Sequence, residues 1–263
     1  MRYVKILLIM LVVAVSLFAG AAMPGNAAIE PTVDLLRPKA ERGDVSAQFK
    51  LGVMYANGHG VPQNSQEAVK WYRQAAEQGH LQAQINLGAM YRDGQGVPQD
   101  YQEALKWFHK AAEQGHAQAD FYLGQMYYKG QGVPQDCQEA IKWFHKAVYY
   151  LSQAQFYLGQ MYYEGQCVPQ DYQKALKWYR QAAVYHPEAQ YNLGNMYRQG
   201  QGVSQDYVEA YAWIIIAAKN GFEKVSKVKA LFLRDMNALQ VAAAEQRAKE
   251  IQDELEHDSR VAE

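Results

Sequence analysis

Apolar side chains recur along this chain with a helical period, and that period is nested inside a longer one. In residues 81–115, Ala83, Leu87, Met90 and Tyr91 fall at i, i+4, i+7 and i+8, the stripe of a first helix ending near Asp93. A second stripe follows at Ala104, Trp107, Phe108, Ala111 and Ala112, spaced i, i+3, i+4, i+7 and i+8. Between them Gly94-Gln95-Gly96-Val97-Pro98-Gln99 breaks both patterns, its glycines allowing positive φ and its proline barring continuation. Asp100 reads as the N-cap of the second helix, with Glu103 three residues on, and Gly115 as the residue just past its end. The same cap pairing recurs as Asn64 with Glu67, Asp136 with Glu139 and Asp206 with Glu209, whereas Asp171 is followed by Lys174.

The unit occurs five times. Leu-Gly-x-Met-Tyr stands at Leu51, Leu87, Leu123, Leu158 and Leu193, and Trp71, Trp107, Trp143, Trp178 and Trp213 follow at intervals of 36, 36, 35 and 35 residues. A period in the thirties predicts stacked helical hairpins in place of one globular core. The expected fold is all-α, an αα superhelical solenoid of about five 35–36-residue helix-turn-helix repeats with helical caps. The repeats run at about 43–79, 80–115, 116–150, 151–185 and 186–221, inside an array spanning 29–221. Residues 31–42 read as an incomplete second helix and 222–263 as a C-terminal cap, with Leu239, Ala242, Ala243, Gln246 and Ala248 marking a long helix after Asn237. Shorter loops after Ala147 and Ala182 account for the two 35-residue intervals. A glycine inside a helix costs about 1 kcal/mol against alanine, so Gly88 and its four equivalents predict a place where two helices approach too closely for a side chain. All five tryptophans are expected to be buried, each filling the gap to a neighbouring repeat.

The first 28 residues stand apart: Arg2 and Lys5, an apolar run from Ile6 to Phe18, then Ala19-Gly20-Ala21. That is the layout of a secretory signal peptide, with an uncleaved membrane anchor as the alternative. The mature chain is then expected to insert stably into no membrane and to reside in the periplasm or be secreted. Removing Arg2 and Lys5 from the 26 basic residues leaves 24 against 27 acidic ones, a formal charge of −3, which leaves no basic footprint for nucleic acid. Cys137 replaces the tyrosine found at 101, 172 and 207, and Cys167 the glycine found at 60, 96, 132 and 202. They read as solitary thiols, with a bridge between neighbouring loops as the alternative, since sequence alone does not give their separation.

The ordered motifs Ala-x-x-x-Leu-Gly-x-x-Tyr, Gly-x-Gly-Val-Pro-x-Asp and Ala-x-x-Trp-Tyr/Phe-x-x-Ala-Ala closely resemble the Sel-1-like repeat family, relatives of the tetratricopeptide repeat. The match covers roughly residues 37–221 and continues into Arg234-Asp235-Met236-Asn237 and an alanine-rich helix. The resemblance implies a right-handed superhelix whose first helices line a concave groove, and an adaptor role in envelope, signalling or host-contact complexes.

Candidate chemistry is sparse. Ser226-Lys227-Val228-Lys229 matches the Ser-x-x-Lys of penicillin-recognising enzymes, but no Ser-Asp-Asn or Lys-Thr-Gly accompanies it. His109 and His145 sit one repeat apart, a spacing that disfavours a shared metal, and the Gly-x-Gly turns follow no strand as a phosphate loop would. No catalytic residue, metal or cofactor is expected. The better candidate is the exposed face of the first helices: Ile85, Ala89, Arg92 and Asp93 in the second repeat; Phe121, Gln125, Tyr128 and Lys129; Phe156, Gln160, Tyr163 and Glu164; and Tyr191, Asn195, Arg198 and Gln199. Rings, amides and single charges of both signs suit an extended protein or peptide segment. The leading expectation is a non-enzymatic interaction scaffold of the bacterial envelope or secreted space, with an envelope hydrolase of β-lactamase type, or an oligomeric building block assembled through a cap or Tyr149 and Tyr150, as alternatives.

Overall fold

Local capping chemistry sets the turn inside each hairpin of the array. The computed structural model of the chain describes residues 33–261, so the signal expected at residues 1–28 lies outside the described residues. Helix α1 (Val33–Glu41) precedes five hairpins: α2 (Val45–Asn57) with α3 (Ser65–Glu77), α4 (Leu81–Asp93) with α5 (Tyr101–Glu113), α6 (Ala117–Lys129) with α7 (Cys137–Ala147), α8 (Ser152–Glu164) with α9 (Tyr172–Ala182), and α10 (Pro187–Gln199) with α11 (Tyr207–Lys219). Then come α12 (Val225–Asp235) and α13 (Ala238–Val261), and among the described residues there is no strand. Each first helix ends on a glycine in the left-handed region, Gly94 at φ 69° for example. The glutamine that follows Val-Pro or Val-Ser closes the same end: Gln63, Gln99, Gln135, Gln170 and Gln205 each donate a side-chain amide to a carbonyl seven residues back, at 2.7–2.8 Å. Each second helix opens on Asn64, Asp100, Asp136, Asp171 or Asp206, whose side chain accepts from the backbone of the first turn.

The recurrent mid-helix glycine is the contact on which each hairpin closes. A Cβ on Gly88 would lie 2.7 Å from the Phe108 ring, on Gly124 2.7 Å from Phe144, on Gly159 2.6 Å from Tyr179 and on Gly194 2.8 Å from Ile214. Gly52 meets Tyr72 in the same way. The residue inside each hairpin is therefore the one after the tryptophan, twenty positions beyond the glycine. This corrects the expectation for the tryptophans. Trp71, Trp107 and Trp213 are buried, but Trp143 and Trp178 are only half-buried. They lie on the outer side of the second helices, with His109 edge-on to Trp143 at 5.5 Å and His145 edge-on to Trp178 at 5.6 Å. Their helices α7 and α9 run 11 residues where α3, α5 and α11 run 13.

Successive repeats also meet through the turns. Gly132 has φ 75°, and a Cβ there would come within 2.7 Å of Tyr101, the first residue of the preceding second helix; Gly202 faces Tyr172 likewise. At the corresponding junction between the third and fourth repeats the facing pair is Cys167 and Cys137, joined as a disulfide with Cα atoms 4.9 Å apart. The thiols are thus not solitary: both substitutions fall on two positions that touch at every such junction. Among the described residues Cys167, at φ 72°, is the only non-glycine with positive φ.

The ends are closed by helices of different kinds. Helix α1 buries Leu36 and Ala40 against the first hairpin. At the other end α13 lies along α11, which is apolar on nearly all sides because α10 and α13 both cover it. The buried face of α13 is Ala244, Ala248, Ile251 and Leu255, so the stripe expected from sequence is shifted: Leu239 is 84% exposed, and Ala242, Ala243 and Gln246 also face solvent. Arg247 anchors the helix to the array at 2.8 Å from Glu209.

Two outcomes follow from this packing. Gly124→Ala would gain about 1 kcal/mol of helix propensity on an open helix, yet here it should lower stability by about 1–3 kcal/mol through overpacking against Phe144. In a Phe144→Ala background, itself expected to cost about 3–5 kcal/mol, the same change should become neutral or favourable, and urea unfolding of the four proteins reads the coupling. Replacing both cysteines with serine should lower stability by about 3.5 kcal/mol on loop-closure grounds, while Cys137→Tyr with Cys167→Gly, the pair used at neighbouring junctions, should recover part of that loss. A Tyr/Gly protein no more stable than the double serine variant would show that ring contact and positive φ contribute nothing there.

Candidate functional site

The face formed by the first helices is built on the rings that close the hairpins. Each such ring contacts the next repeat's first helix, and the partner varies with it. Tyr72 and Tyr179 are hydrogen-bonded with Asn86 and Asn192, whereas Phe108 packs on Tyr122 at 4.8 Å and Phe144 on Tyr157 at 5.4 Å. Phenol with amide, benzyl with phenol: the floor of the face is thus continuous with the core. Two cavities open on it. One of about 410 Å³ lies between the first and second repeats and is lined by Ser65, Tyr72, Asn86, Ala89 and Gln95 among others. The other, about 350 Å³, lies between the fourth and fifth, lined by Tyr157, Gln160, Tyr163, Glu164, Tyr179, Glu188 and Asn192 with Phe156.

The sixteen first-helix positions read from sequence divide into three groups. Ile85, Phe121 and Phe156 are buried, Phe121 against Phe144 and Tyr157 and Phe156 against Tyr179 and His186, so these are packing residues and their expected exposure is corrected. Tyr128 is buried as well, 9% exposed with its hydroxyl bonded to Gln166, so its expected exposure is also corrected, and Tyr191 is half-buried on Phe222 at 4.9 Å. Ala89, Arg92, Gln125, Gln160, Tyr163, Asn195 and Arg198 are half-buried along the face, and Asp93, Lys129, Glu164 and Gln199 are exposed at its rim. Gln125 donates to the Tyr157 hydroxyl at 2.8 Å, Gln160 to Glu164 at 2.9 Å, and Arg92 both pairs with Asp93 at 2.7 Å and covers the Tyr122 ring at 4.7 Å. Asn86, Tyr122, Tyr157, Asn192 and Glu188 also lie on this face and escaped the sequence reading. Their signal was available in the covariation of position 86 and its equivalents with the ring 13 or 14 residues earlier.

The remaining candidates fall elsewhere. His109 and His145 pack edge-on against the outer tryptophans, and burial pushes both imidazoles below their ordinary range. Ser226 and Lys227 fall in the first turn of α12, and their side chains lie outside the described residues. Among the described residues no group of three histidine, cysteine or acidic side chains is placed to hold a metal, and no helix is long and apolar enough to cross a membrane. Tyr149 and Tyr150 stand 87% and 78% exposed at the shortened loop, beside a third cavity of about 430 Å³ that also includes Arg180, Tyr185 and Asp258.

A model of the Sel1 repeat matches residues 45–80, 81–116, 117–149, 152–183 and 187–222. The chain belongs to the Sel1 repeat family. Among solved structures, a Sel1 repeat protein from Oxalobacter formigenes is 36% identical over 74% of this chain and 81% of its own, with a TM-score of 0.67. A protective antigen present in uropathogenic Escherichia coli strains is 28% identical over 83% of this chain and 63% of its own, TM-score 0.39. An immunity protein from Pseudomonas aeruginosa is 21% identical over 75% of this chain and 80% of its own, TM-score 0.47. No curated protein matches. Sel1 repeats generally act as protein–protein interaction scaffolds and are generally non-catalytic.

One Sel1 repeat here carries an electrostatic anomaly. Gln48, Gln84, Gln155 and Gln190 each donate a side-chain amide to a carbonyl in the last turn or cap of the preceding second helix, at 2.6–3.2 Å. Gln48, Gln84 and Gln190 also accept from Gln78, Gln114 and Asn220 of their own repeat. In the third repeat the position is Asp120, which has no N–H to give, and the shortened loop supplies no capping amide. Asp120 is buried, its Oδ1 has no hydrogen-bond partner, and burial pushes its carboxyl above the ordinary range, opposed by Lys146. Because the folded state raises this pKa, the group favours folding below the ordinary carboxylate range and that contribution is lost as pH rises through the folded value. Asp120→Gln should therefore raise the free energy of unfolding at neutral pH by about 1 kcal/mol, and the gain should shrink as pH falls through the acid range. A gain independent of pH would assign the effect to packing instead.

Proposed function

We propose that this chain is a non-enzymatic peptide-binding scaffold of the bacterial envelope or secreted space, exported by residues 1–28 and binding an extended segment of a protein partner along its first-helix face. The observation that carries the reading is the pair of clefts between first helices, one at each end of the array, floored by Tyr72 and Tyr179 and edged by Asn86, Gln160 and Asn192. Rings offer area at low entropy cost, and amides can exchange hydrogen bonds with a partner's backbone. The disulfide between Cys137 and Cys167 supports an oxidising compartment.

The test uses residues of the face that hold no fold contact. Lys129→Ala, Asn195→Ala and Gln199→Ala together should abolish enrichment from a random decapeptide display library that the unaltered protein enriches. Stability should stay within about 0.5 kcal/mol, as for surface changes away from caps. A triple variant that folds and enriches the same peptides would move the interaction to the loops or caps, with exposed Tyr149 and Tyr150 the first surface to alter.

A further inference from the structure

The cleft between the fourth and fifth repeats differs from its counterparts in charge. Glu164 ends α8 and Glu188 lies in the first turn of α10, and both line the cavity of about 350 Å³ described above. Position 164 and position 188 correspond to Asn57 and Gln82, Asp93 and Gln118, and Lys129 and Gln153 at the three earlier junctions. None of those pairs holds two carboxylates, and Asp93 is already taken by Arg92. Among the described residues Glu164 and Glu188 form no ion pair, and no lysine, arginine or histidine lines the cavity. Burial pushes the His186 imidazole down, toward its neutral form, with Glu188 opposing, and Arg198 acts on Tyr163 and on Asp235.

The other lining groups complete a cation site. Half-buried Tyr157 and Tyr163 present aromatic rings above the buried Tyr179, and Gln160 and Asn192 present amide oxygens. Tyr179 is held as a neutral phenol: burial pushes its pKa up, Asn192 opposes, and Glu164 and Glu188 add to the rise. Tyrosine rings attract a cation placed over their face, more so when water is excluded. Glu164 accepts only a neutral amide, from Gln160, and a carboxylate without an ionic partner gains most from a donor with several N–H groups, which favours a guanidinium over an ammonium. The cavity volume falls in the range that ligand pockets occupy.

Resting on the peptide-binding reading above, we propose that this cleft receives a basic side chain of the bound segment, arginine ahead of lysine, between the Glu164 and Glu188 carboxylates and over the tyrosine rings. The scaffold would then read one basic position in an otherwise loosely specified peptide.

The experiment compares the full protein with Glu164→Gln/Glu188→Gln in the same decapeptide display library, followed by fluorescence polarisation on an enriched peptide and on its citrulline analogue. The unaltered protein should enrich arginine or lysine at one register, and citrulline at that register should weaken binding roughly tenfold or more. The double variant should still bind peptide but treat arginine and citrulline alike. Enrichment without a basic register, or a double variant that keeps the full arginine preference, overturns the cleft assignment while leaving the groove reading intact. If no peptide is enriched, or if the Lys129, Asn195 and Gln199 variant enriches the same set, the groove reading fails and this assignment falls with it.

Discussion

A ring laid on a glycine is the contact from which the rest of this array follows. The missing Cβ at Gly88 lets Phe108 lie against the backbone of α4, the same approach recurs at Gly52, Gly124 and Gly159, and at Gly194 Ile214 takes the place of the ring. A helix interior gives up about 1 kcal/mol for each such glycine, and burying an aromatic side chain returns about 1.5–3 kcal/mol. The balance favours the close approach. It also fixes the geometry of the hairpin, since only one residue of the second helix can occupy that site.

The second consequence is a coupling between repeats. The ring that closes one hairpin is also what the next first helix packs upon, so a change from tyrosine to phenylalanine at 108 or 144 is matched by a change from asparagine to tyrosine at 122 or 157. Cys137 and Cys167 obey the same logic at the turn, where a tyrosine–glycine contact is exchanged for a covalent one. Departures from the repeat that touch across a junction come in pairs because neither alone would fit. Asp120 is the unmatched departure: it has no N–H for the carbonyl that its glutamine counterparts use, and its Oδ1 finds no donor.

This explains what could be read from the sequence and what could not. Periodicity along one strand of text is enough to give the hairpins, because caps, glycines and apolar stripes are local: Asp100 caps α5 and Gly94 ends α4 where the pattern predicted. The fold itself, an all-α solenoid of repeats, was legible for that reason. Which of two adjacent aromatics points inward is not local. Trp143 and Phe144 are equally apolar, and only the distance from Gly124 around the hairpin turn selects Phe144. The same limit blurred the candidate face, where Phe121 and Phe156 look as free as Gln125 and Gln160 until the neighbouring repeat is set against them. In α13 the stripe was misjudged because the buried face runs through Val241, Ala244, Ala248, Ile251 and Leu255, and Leu239 lies on the other side of the helix.

If paired substitutions mark contact, then unpaired variation at positions without a fold partner marks freedom to recognise. Asn57, Asp93, Lys129, Glu164 and Gln199 end the five first helices with five different side chains, while the glycine after each of them never changes. Packing has fixed the backbone at this point and left the side chain unspecified. A partner lying along the first helices would meet each of these side chains in turn. Where two such positions carry the same sign beside one cavity with no ion-pair partner, as at Glu164 and Glu188, a cation brought by that partner would meet two carboxylates at once.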